Sequence, residues 1–324
     1  MIGNLQLIRA FAASGVVIYH CAALIFGFHT EFYGVALFFA LSGYLMCKIK
    51  EKRSASAFAW ERFLRIAPSY WLATALLARQ LQPDKTFGEY LPSLFFIPHA
   101  SEAGFYPPLG VGYTLNLEMY FYGIFALSIM INRKFAPLLC AGVIVAIALF
   151  LPSVTSNKAA IFYYTHPYVF CFVCGIGVWY FTEWLLPRID HLIIPSWFFP
   201  IALLTYALMV PIVLGPLEST VVAFAAASLL LLAGVVSAKL GTDLRSKPIM
   251  LLGNASYACY LLHTIIIELF RQRGFAIDGS VGLTVIIFAL SWCAALAWHG
   301  SIEKLIGLVT GRSPTSARVA SATS

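Results

Sequence analysis

The stretch Arg9–His20 reads Arg-Ala-Phe-Ala-Ala-Ser-Gly-Val-Val-Ile-Tyr-His and lies inside an apolar segment that runs from about Leu5 to Phe28. On an α-helix, eleven residues turn through about 1100° and rise roughly 16 Å, so Arg9 and His20 share a face. In a bilayer with a core about 30 Å thick, Arg9 would lie near one surface and His20 near the middle. Ionisable groups at that depth usually face the bundle interior at functional sites.

Each of these residues also has a plainer interpretation. Arg9 could be a positive anchor at the membrane surface, and His20 could be a hydrogen-bonded core residue. The residues in the rest of the chain distinguish between the functional and the plainer interpretation.

The composition predicts a polytopic membrane protein. Hydrophobic residues make up 60% of the 324 residues and charged residues only 11%, and the mean hydropathy is +0.84. Soluble domains carry about 25% charged residues. The net charge of +7 comes from short basic clusters between apolar windows, a pattern that reports membrane topology rather than nucleic-acid binding. The seven cysteines lie in or at the ends of apolar windows, so we expect neither a disulfide framework nor a metal site.

Apolar windows of bilayer-spanning length recur along the whole chain. We predict an all-α bundle of about ten transmembrane helices, near residues 5–28, up to 47, 68–81, 111–131, 135–151, 161–183, 192–214, 219–238, 249–270 and 281–300. A tight turn near His29–Phe32 joins the first two spans. Residues 82–110 contain five prolines and form the longest stretch expected to be non-helical before the tail.

The basic residues predict the orientation of this bundle. Positively charged loops stay on the cytoplasmic side. With both termini cytoplasmic, 16 of the 21 Lys and Arg residues fall on the inner side and 5 on the outer side. Residues 1–311 then form one transmembrane domain, and the Ser/Thr/Ala-rich residues 312–324 form a disordered cytoplasmic tail.

Two arginines at the inner mouth suggest an anion site. Arg62 and Arg65 are three residues apart and therefore adjacent on a helix surface. A pair of planar guanidinium groups suits a phosphate or pyrophosphate, because each can bind oxygens bidentately. The alternative is an anchor to anionic lipid.

Three further polar residues lie inside apolar helices. Glu118 is a carboxylate with no charged neighbour for a turn on either side, so we expect it to face the interior, as a chemical or a structural partner. Ser42 and Gly43 are most simply small residues that let helices approach closely, although Ser42 is also a candidate substrate contact. His263 falls in the outer half of the ninth span and is a second candidate for substrate binding.

The order of these motifs resembles that of the acyltransferase-3 family. The resemblance covers nearly the whole chain, through Leu7-Ile-Arg9 with His20, Phe38-Phe-Ala-Leu-Ser-Gly43, Arg62-Phe-Leu-Arg65-Ile-Ala-Pro68, Thr114-Leu-Asn-Leu-Glu118, Ser256-Tyr257 through Leu261-Leu-His263, and Ile302-Glu303. Where the family often has an aspartate before Leu-Phe-Phe, this chain has Ala36, so a role of that acid does not carry over.

The resemblance implies a membrane enzyme that O-acylates carbohydrates with acyl-CoA, most simply acetyl-CoA, reached from the cytoplasm. We expect His20 to act as the base, Arg9, Arg62 and Arg65 to bind the donor, and Glu118 to support the site. The acceptor would be an exopolysaccharide, lipopolysaccharide or lipid-linked glycan, and the membrane a bacterial inner membrane. Direct transfer and an acyl-histidine intermediate both remain open.

A carrier or flippase for a glycan or small anion is the alternative function. Arg9, His20 and Glu118 would then line a translocation path. The sequence has no visible internal repeat of the kind that many carriers show.

Overall fold

Helices account for most of the computed structural model, which describes residues 2–26, 34–49, 54–82, 86–100, 104–209, 220–275 and 280–309. Thirteen α-helices lie in these ranges: α1 (Gly3–Phe26), α2 (Gly34–Ile49), α3 (Ala55–Leu81), α4 (Phe87–Leu94), α5 (Gly112–Ile131), α6 (Ala136–Val154), α7 (Lys158–Tyr164), α8 (Val169–Leu185), α9 (Phe198–Met209), α10 (Thr220–Leu240), α11 (Lys247–Gln272), α12 (Val281–Trp298) and α13 (Lys304–Val309). No β-strand occurs within them. The expected all-α class is confirmed.

Six helical stretches are long and apolar enough to cross a bilayer. They are Gly112–Ile131, Ala136–Val154, Lys158–Arg188, Thr220–Leu240, Lys247–Gln272 and Val281–Val309, and two shorter apolar helices cover Gly34–Ile49 and Phe198–Met209. The chain is therefore a multi-pass membrane protein. The count of ten spans and the inward direction of both termini stay predictions. The expected turn at His29–Phe32 and the expected tail from 312 lie outside the described residues.

The third helix is much longer than the span expected from its apolar residues. We expected the span to start at about Pro68, but α3 begins at Ala55, after Ser54 accepts a hydrogen bond from the Ala57 backbone. Pro68 lies inside the helix. The first turns of α3 thus carry Arg62 and Arg65 on a continuous helix, which fixes the spacing of their side chains.

Two other stretches also differ from the expectation. Residues 82–110 contain the short helix α4. Its N-terminus is stabilised by a capping box between Thr86 and Glu89. The expected span 161–183 is divided into α7 and α8 around His166-Pro167, because proline lacks the N–H that a continuing helix needs.

The start of α1 is fastened to the connection between α10 and α11. Asp243 accepts hydrogen bonds from the backbone N–H groups of Gly3 and Asn4, at 2.6 and 3.1 Å. The Asn4 side chain donates to the carbonyls of Gly234 and Thr242 and accepts from the Leu244 N–H. A carboxylate at a helix N-terminus is favourable. These bonds hold α1 in position, and α1 carries Arg9 and His20.

Backbone contact between α2 and α8 depends on two glycines. A Cβ added at Gly43 would clash with the Phe172 carbonyl oxygen, and one added at Gly175 would clash with the Ala40 carbonyl oxygen. The interpretation of Gly43 as a small residue for close helix approach is therefore confirmed. This contact sets the position of Ser42, the neighbour of Gly43.

Gly175→Ala should lower the thermal stability of the protein, because α2 and α8 must separate to admit the methyl group. We expect a loss of about 1–3 kcal/mol. Gly177, two residues further along α8, is the matched control, since a Cβ there would meet nothing within 4 Å. Gly177→Ala should be neutral or stabilising by up to about 1 kcal/mol. Melting in detergent checks both variants, and equal melting temperatures would contradict the packing described.

Candidate active site

The centre of the site is a pair of histidines from α1 and α11. His20 Nδ1 lies 2.9 Å from His263 Nε2, and the two rings are stacked with centroids 5.0 Å apart. His20 is half-buried, whereas His263 has no exposed surface. The two helices pack along each other extensively, which brings together side chains that are 243 residues apart in sequence. Each histidine was a candidate site residue, but their contact was not expected.

A pocket of about 340 Å³ opens beside His20. This volume is at the lower end of the range of about 300–1,000 Å³ found for small-molecule sites. The pocket lies between α1, α11, the start of α2 and the loop before α5, and five of its lining residues are tyrosines: Tyr19, Tyr106, Tyr113, Tyr168 and Tyr260. Thr264 also lines it, and the Thr264 hydroxyl has no hydrogen-bond partner in the described chain. His263 and Ser42 are not lining residues.

Glu118 is held in place by two hydroxyl groups. Ser42 Oγ donates to Glu118 Oε1 at 3.1 Å, and Tyr122 OH donates to the same oxygen at 2.5 Å. Ser42 comes from α2, while Glu118 and Tyr122 are one turn apart on α5. The polar surroundings expected for Glu118 are present. Ser42 was a candidate for substrate binding, but its observed partner is Glu118, so its position suits the orientation of this carboxylate.

Arg62 is the most buried of the three candidate donor-binding arginines. It is 8% exposed, and its guanidinium lies over the rings of Phe58 and Tyr122, at 6.0 and 5.9 Å from their centroids. Its ion pair with Glu61 is long, at 4.0 Å. Within the described chain, Arg62 Nε is buried without a hydrogen-bond partner. A buried N–H donor without a partner costs free energy, so this group would gain from a bound acceptor.

Arg9 and Arg65 complete a cluster of positive charge. Arg9 lies within electrostatic range of Arg65, Glu118 and Glu303, and Arg65 also acts on Arg62. Both carboxylates are already engaged, Glu118 by hydroxyls and Glu303 by His299. Arg65 thus lies within electrostatic range of both other arginines that sequence reasoning assigned to anion binding, and the third carboxylate nearby, Glu61, is 4.0 Å from Arg62. Such a cluster suits a multiply charged anion.

Tyr122, His299 and Glu303 lie at the site, although sequence reasoning gave them no role and named Glu303 only as part of the Ile302-Glu303 motif. His299 Nδ1 and Glu303 Oε2 are 2.6 Å apart in a π-helical turn, His299–Glu303, that follows α12. Such turns occur frequently at functional sites. The spacing of four residues in both the Glu118–Tyr122 and the His299–Glu303 pair was the available signal, because residues at i and i+4 meet on a helix.

The Ser256-Tyr257 motif on α11 ties the bundle together around the site. Tyr257 OH donates to the Ile66 carbonyl of α3 at 2.9 Å. One turn later, Tyr260 OH and Thr114 Oγ1 of α5 are 2.7 Å apart. The helix that presents His263 is thus bonded to the helices that present Arg65 and Glu118. Ala36, at the position where an acid was considered, is fully buried and brings no charge.

Comparisons with known proteins identify a matching family and a similar protein. A family described as an acyltransferase domain, the acyltransferase-3 family, matches residues 2–298. The exopolysaccharide production protein ExoZ of Rhizobium meliloti (strain 1021) is 34% identical over 269 residues, which cover 80% of this chain and 83% of that protein. No solved structure matches the chain.

Proposed function

Because the chain belongs to the acyltransferase-3 family, we propose that it moves an acyl group, most simply acetyl, from acyl-CoA to a hydroxyl of a carbohydrate acceptor. One observation carries the proposal: α1 presents Arg9 to an arginine cluster and His20 to a pocket. A donor site and an acceptor site would then meet along one helix. The relative is named for exopolysaccharide production, which supports an exopolysaccharide or its lipid-linked precursor as the acceptor.

The donor substrate fits the arginine cluster. CoA carries several phosphate groups, and Arg62 Nε is a buried donor without a partner within the described ranges. Arg9 and His20 are separated by about 16 Å along the helix. The extended arm of CoA, which joins its phosphates to the thioester, suits that separation. Arg9, Arg62 and Arg65 would hold the phosphates, while the acyl thioester reaches the level of His20.

The pocket beside His20 suits the carbohydrate acceptor. Tyrosine rings provide flat apolar faces with a hydroxyl at the edge, a combination that suits a sugar ring. Thr264 adds a hydroxyl that is buried without a partner among the described residues. The loop before α5 is on the predicted outer side, so we propose that the acceptor enters from the outer face of a bacterial inner membrane.

The reaction needs one base and one acid. His20 accepts the proton of the acceptor hydroxyl as its oxygen attacks the thioester carbonyl carbon. The C–S bond then breaks, and the CoA thiolate takes the proton back from His20. The products are an O-acyl ester and CoA with a free thiol. The same imidazole could instead carry the acyl group as an acyl-histidine, which follows the alternative left open by the sequence.

The test is acceptor-dependent release of CoA. Purified protein in lipid nanodiscs receives acetyl-CoA with or without exopolysaccharide fragments or a lipid-linked glycan, and free thiol is measured over time. We expect thiol release that requires both the acceptor and His20. If no thiol appears with acetyl-CoA or longer acyl-CoA donors from protein that is folded by its melting curve, the proposal is wrong.

A further inference from the structure

The two histidines of the site have contacts that fix which ring nitrogen carries each proton. His263 Nδ1 lies 3.2 Å from the carbonyl oxygen of Cys259, one turn earlier on α11. A carbonyl oxygen can only accept a hydrogen bond, so the hydrogen must be on His263 Nδ1. A neutral imidazole carries one N–H. His263 Nε2 is therefore the nitrogen with the lone pair.

His263 is neutral because nothing at its position supports a charge. Its side chain has no exposed surface, and His20 is the only titratable group among the described residues that acts on it. A buried cation without an anionic partner is costly. No carboxylate in the described chain faces the ring, since Glu118 is bonded to Ser42 and Tyr122, and Glu303 to His299.

The position of the ring hydrogen in His263 determines which nitrogen of His20 carries its hydrogen. Because His263 Nε2 accepts, His20 Nδ1 at 2.9 Å must donate. A neutral imidazole carries one N–H. His20 Nε2 then carries the lone pair.

We propose that His263 is a positioning residue, which holds His20 in the tautomer with hydrogen on Nδ1 so that Nε2 is the base for the acceptor hydroxyl. The inference rests on the proposed function and deepens it. His20 lines the pocket and His263 does not, so the acceptor can reach the first ring but not the second. The role corresponds to that of the aspartate in Ser-His-Asp triads, where loss of the correct tautomer costs about 10⁴-fold in kcat. A neutral imidazole is a weaker acceptor than a carboxylate, so we expect a smaller effect here.

The kinetic test compares His263→Leu with His263→Gln. Leucine fills similar space but cannot accept, so His20 can take the other tautomer. We expect kcat to fall by about 10²–10³-fold, with little change in KM for acyl-CoA. Glutamine places an amide oxygen near the former Nε2 and should restore much of the loss. His191→Leu, at an exposed position, is the control and should retain wild-type rates. If His263→Leu matches the wild type, or if glutamine and leucine are equally impaired in folded protein, the inference is overturned.

Nitrogen NMR of isotope-labelled histidine tests the tautomer without any turnover. The chain has seven histidines, and signals that disappear in His20→Gln and His263→Gln assign the pair. We expect protonated Nδ1 and unprotonated Nε2 in both rings of the resting protein. A His20 ring protonated on Nε2 would overturn the inference even if the enzyme transfers acyl groups. The predicted tautomers in a protein without acyl transfer would instead refute the proposed function alone.

Discussion

His20→Gln should abolish acyl transfer, with a fall in kcat of about 10²–10⁴-fold, the range that general acid–base catalysis contributes. An amide cannot accept the hydroxyl proton or return it to the leaving thiolate. Glutamine can still donate a hydrogen bond to His263 Nε2, so the contact between α1 and α11 should survive. The measurement is acceptor-dependent release of CoA, together with a melting curve and the binding of acyl-CoA.

Two further readouts make the His20 experiment specific. Binding of acyl-CoA should be retained, because the arginine cluster is about 16 Å away along α1. His191→Gln, at an exposed site outside the bundle interior, should transfer at the wild-type rate. A folded His20→Gln protein that transfers acyl groups at the wild-type rate would remove His20 from the mechanism.

Arg65→Gln should weaken the binding of the acyl-CoA donor rather than slow the chemical step. A hydrogen bond to a charged group contributes about 1.5–3 kcal/mol, which corresponds to a rise of about 10–100-fold in KM for acyl-CoA. Arg65 is a better test than Arg62, whose buried guanidinium also packs on Phe58 and Tyr122. Arg65→Lys should recover only part of the affinity, because an ammonium group cannot bind phosphate oxygens with a planar fork.

Arg133→Gln is the matched control for this experiment. Arg133 is exposed on the connection between α5 and α6, which the distribution of basic residues predicts to lie on the same inner side. Its loss removes one positive charge from the inner surface without touching the cluster, so KM for acyl-CoA should not change. An unchanged KM in Arg65→Gln, or an equal rise in both variants, would mean that the cluster does not bind the donor.

Most of the long helices of this chain could be predicted from apolar windows, whereas the short helix α4 and several helix ends could not. The apolar window predicts that α3 begins near Pro68. The helix begins at Ala55 instead, because Ser54 provides an N-terminal cap that average hydropathy does not detect. Proline was an unreliable guide in the outer stretch, since α4 accommodates Pro92. At Pro167, in contrast, the same residue type separates two helices.

The candidate site residues could be found singly, but their partners could not. The 3.6-residue period places Arg9 and His20 on one face of α1, yet it carries no information on which helix covers that face. The contacts of His20 with His263 and of Ser42 with Glu118 depend on packing between helices that are distant in sequence. For the same reason, His263 and Ser42 could be named as candidate substrate contacts, Ser42 besides its simpler interpretation as a small packing residue, but their contacts with His20 and Glu118 could not be predicted.

The proposed mechanism transfers an acyl group from acyl-CoA to a carbohydrate through His20. The most direct measurement follows radiolabelled acetyl-CoA in membranes that contain the wild type or His20→Gln, with label counted separately in glycan and in protein. We expect label in the glycan with the wild type only, and label held on the protein would identify an acyl-enzyme step. Equal labelling of the glycan by the two proteins, or none by a folded wild type with acetyl and longer acyl donors, would contradict it.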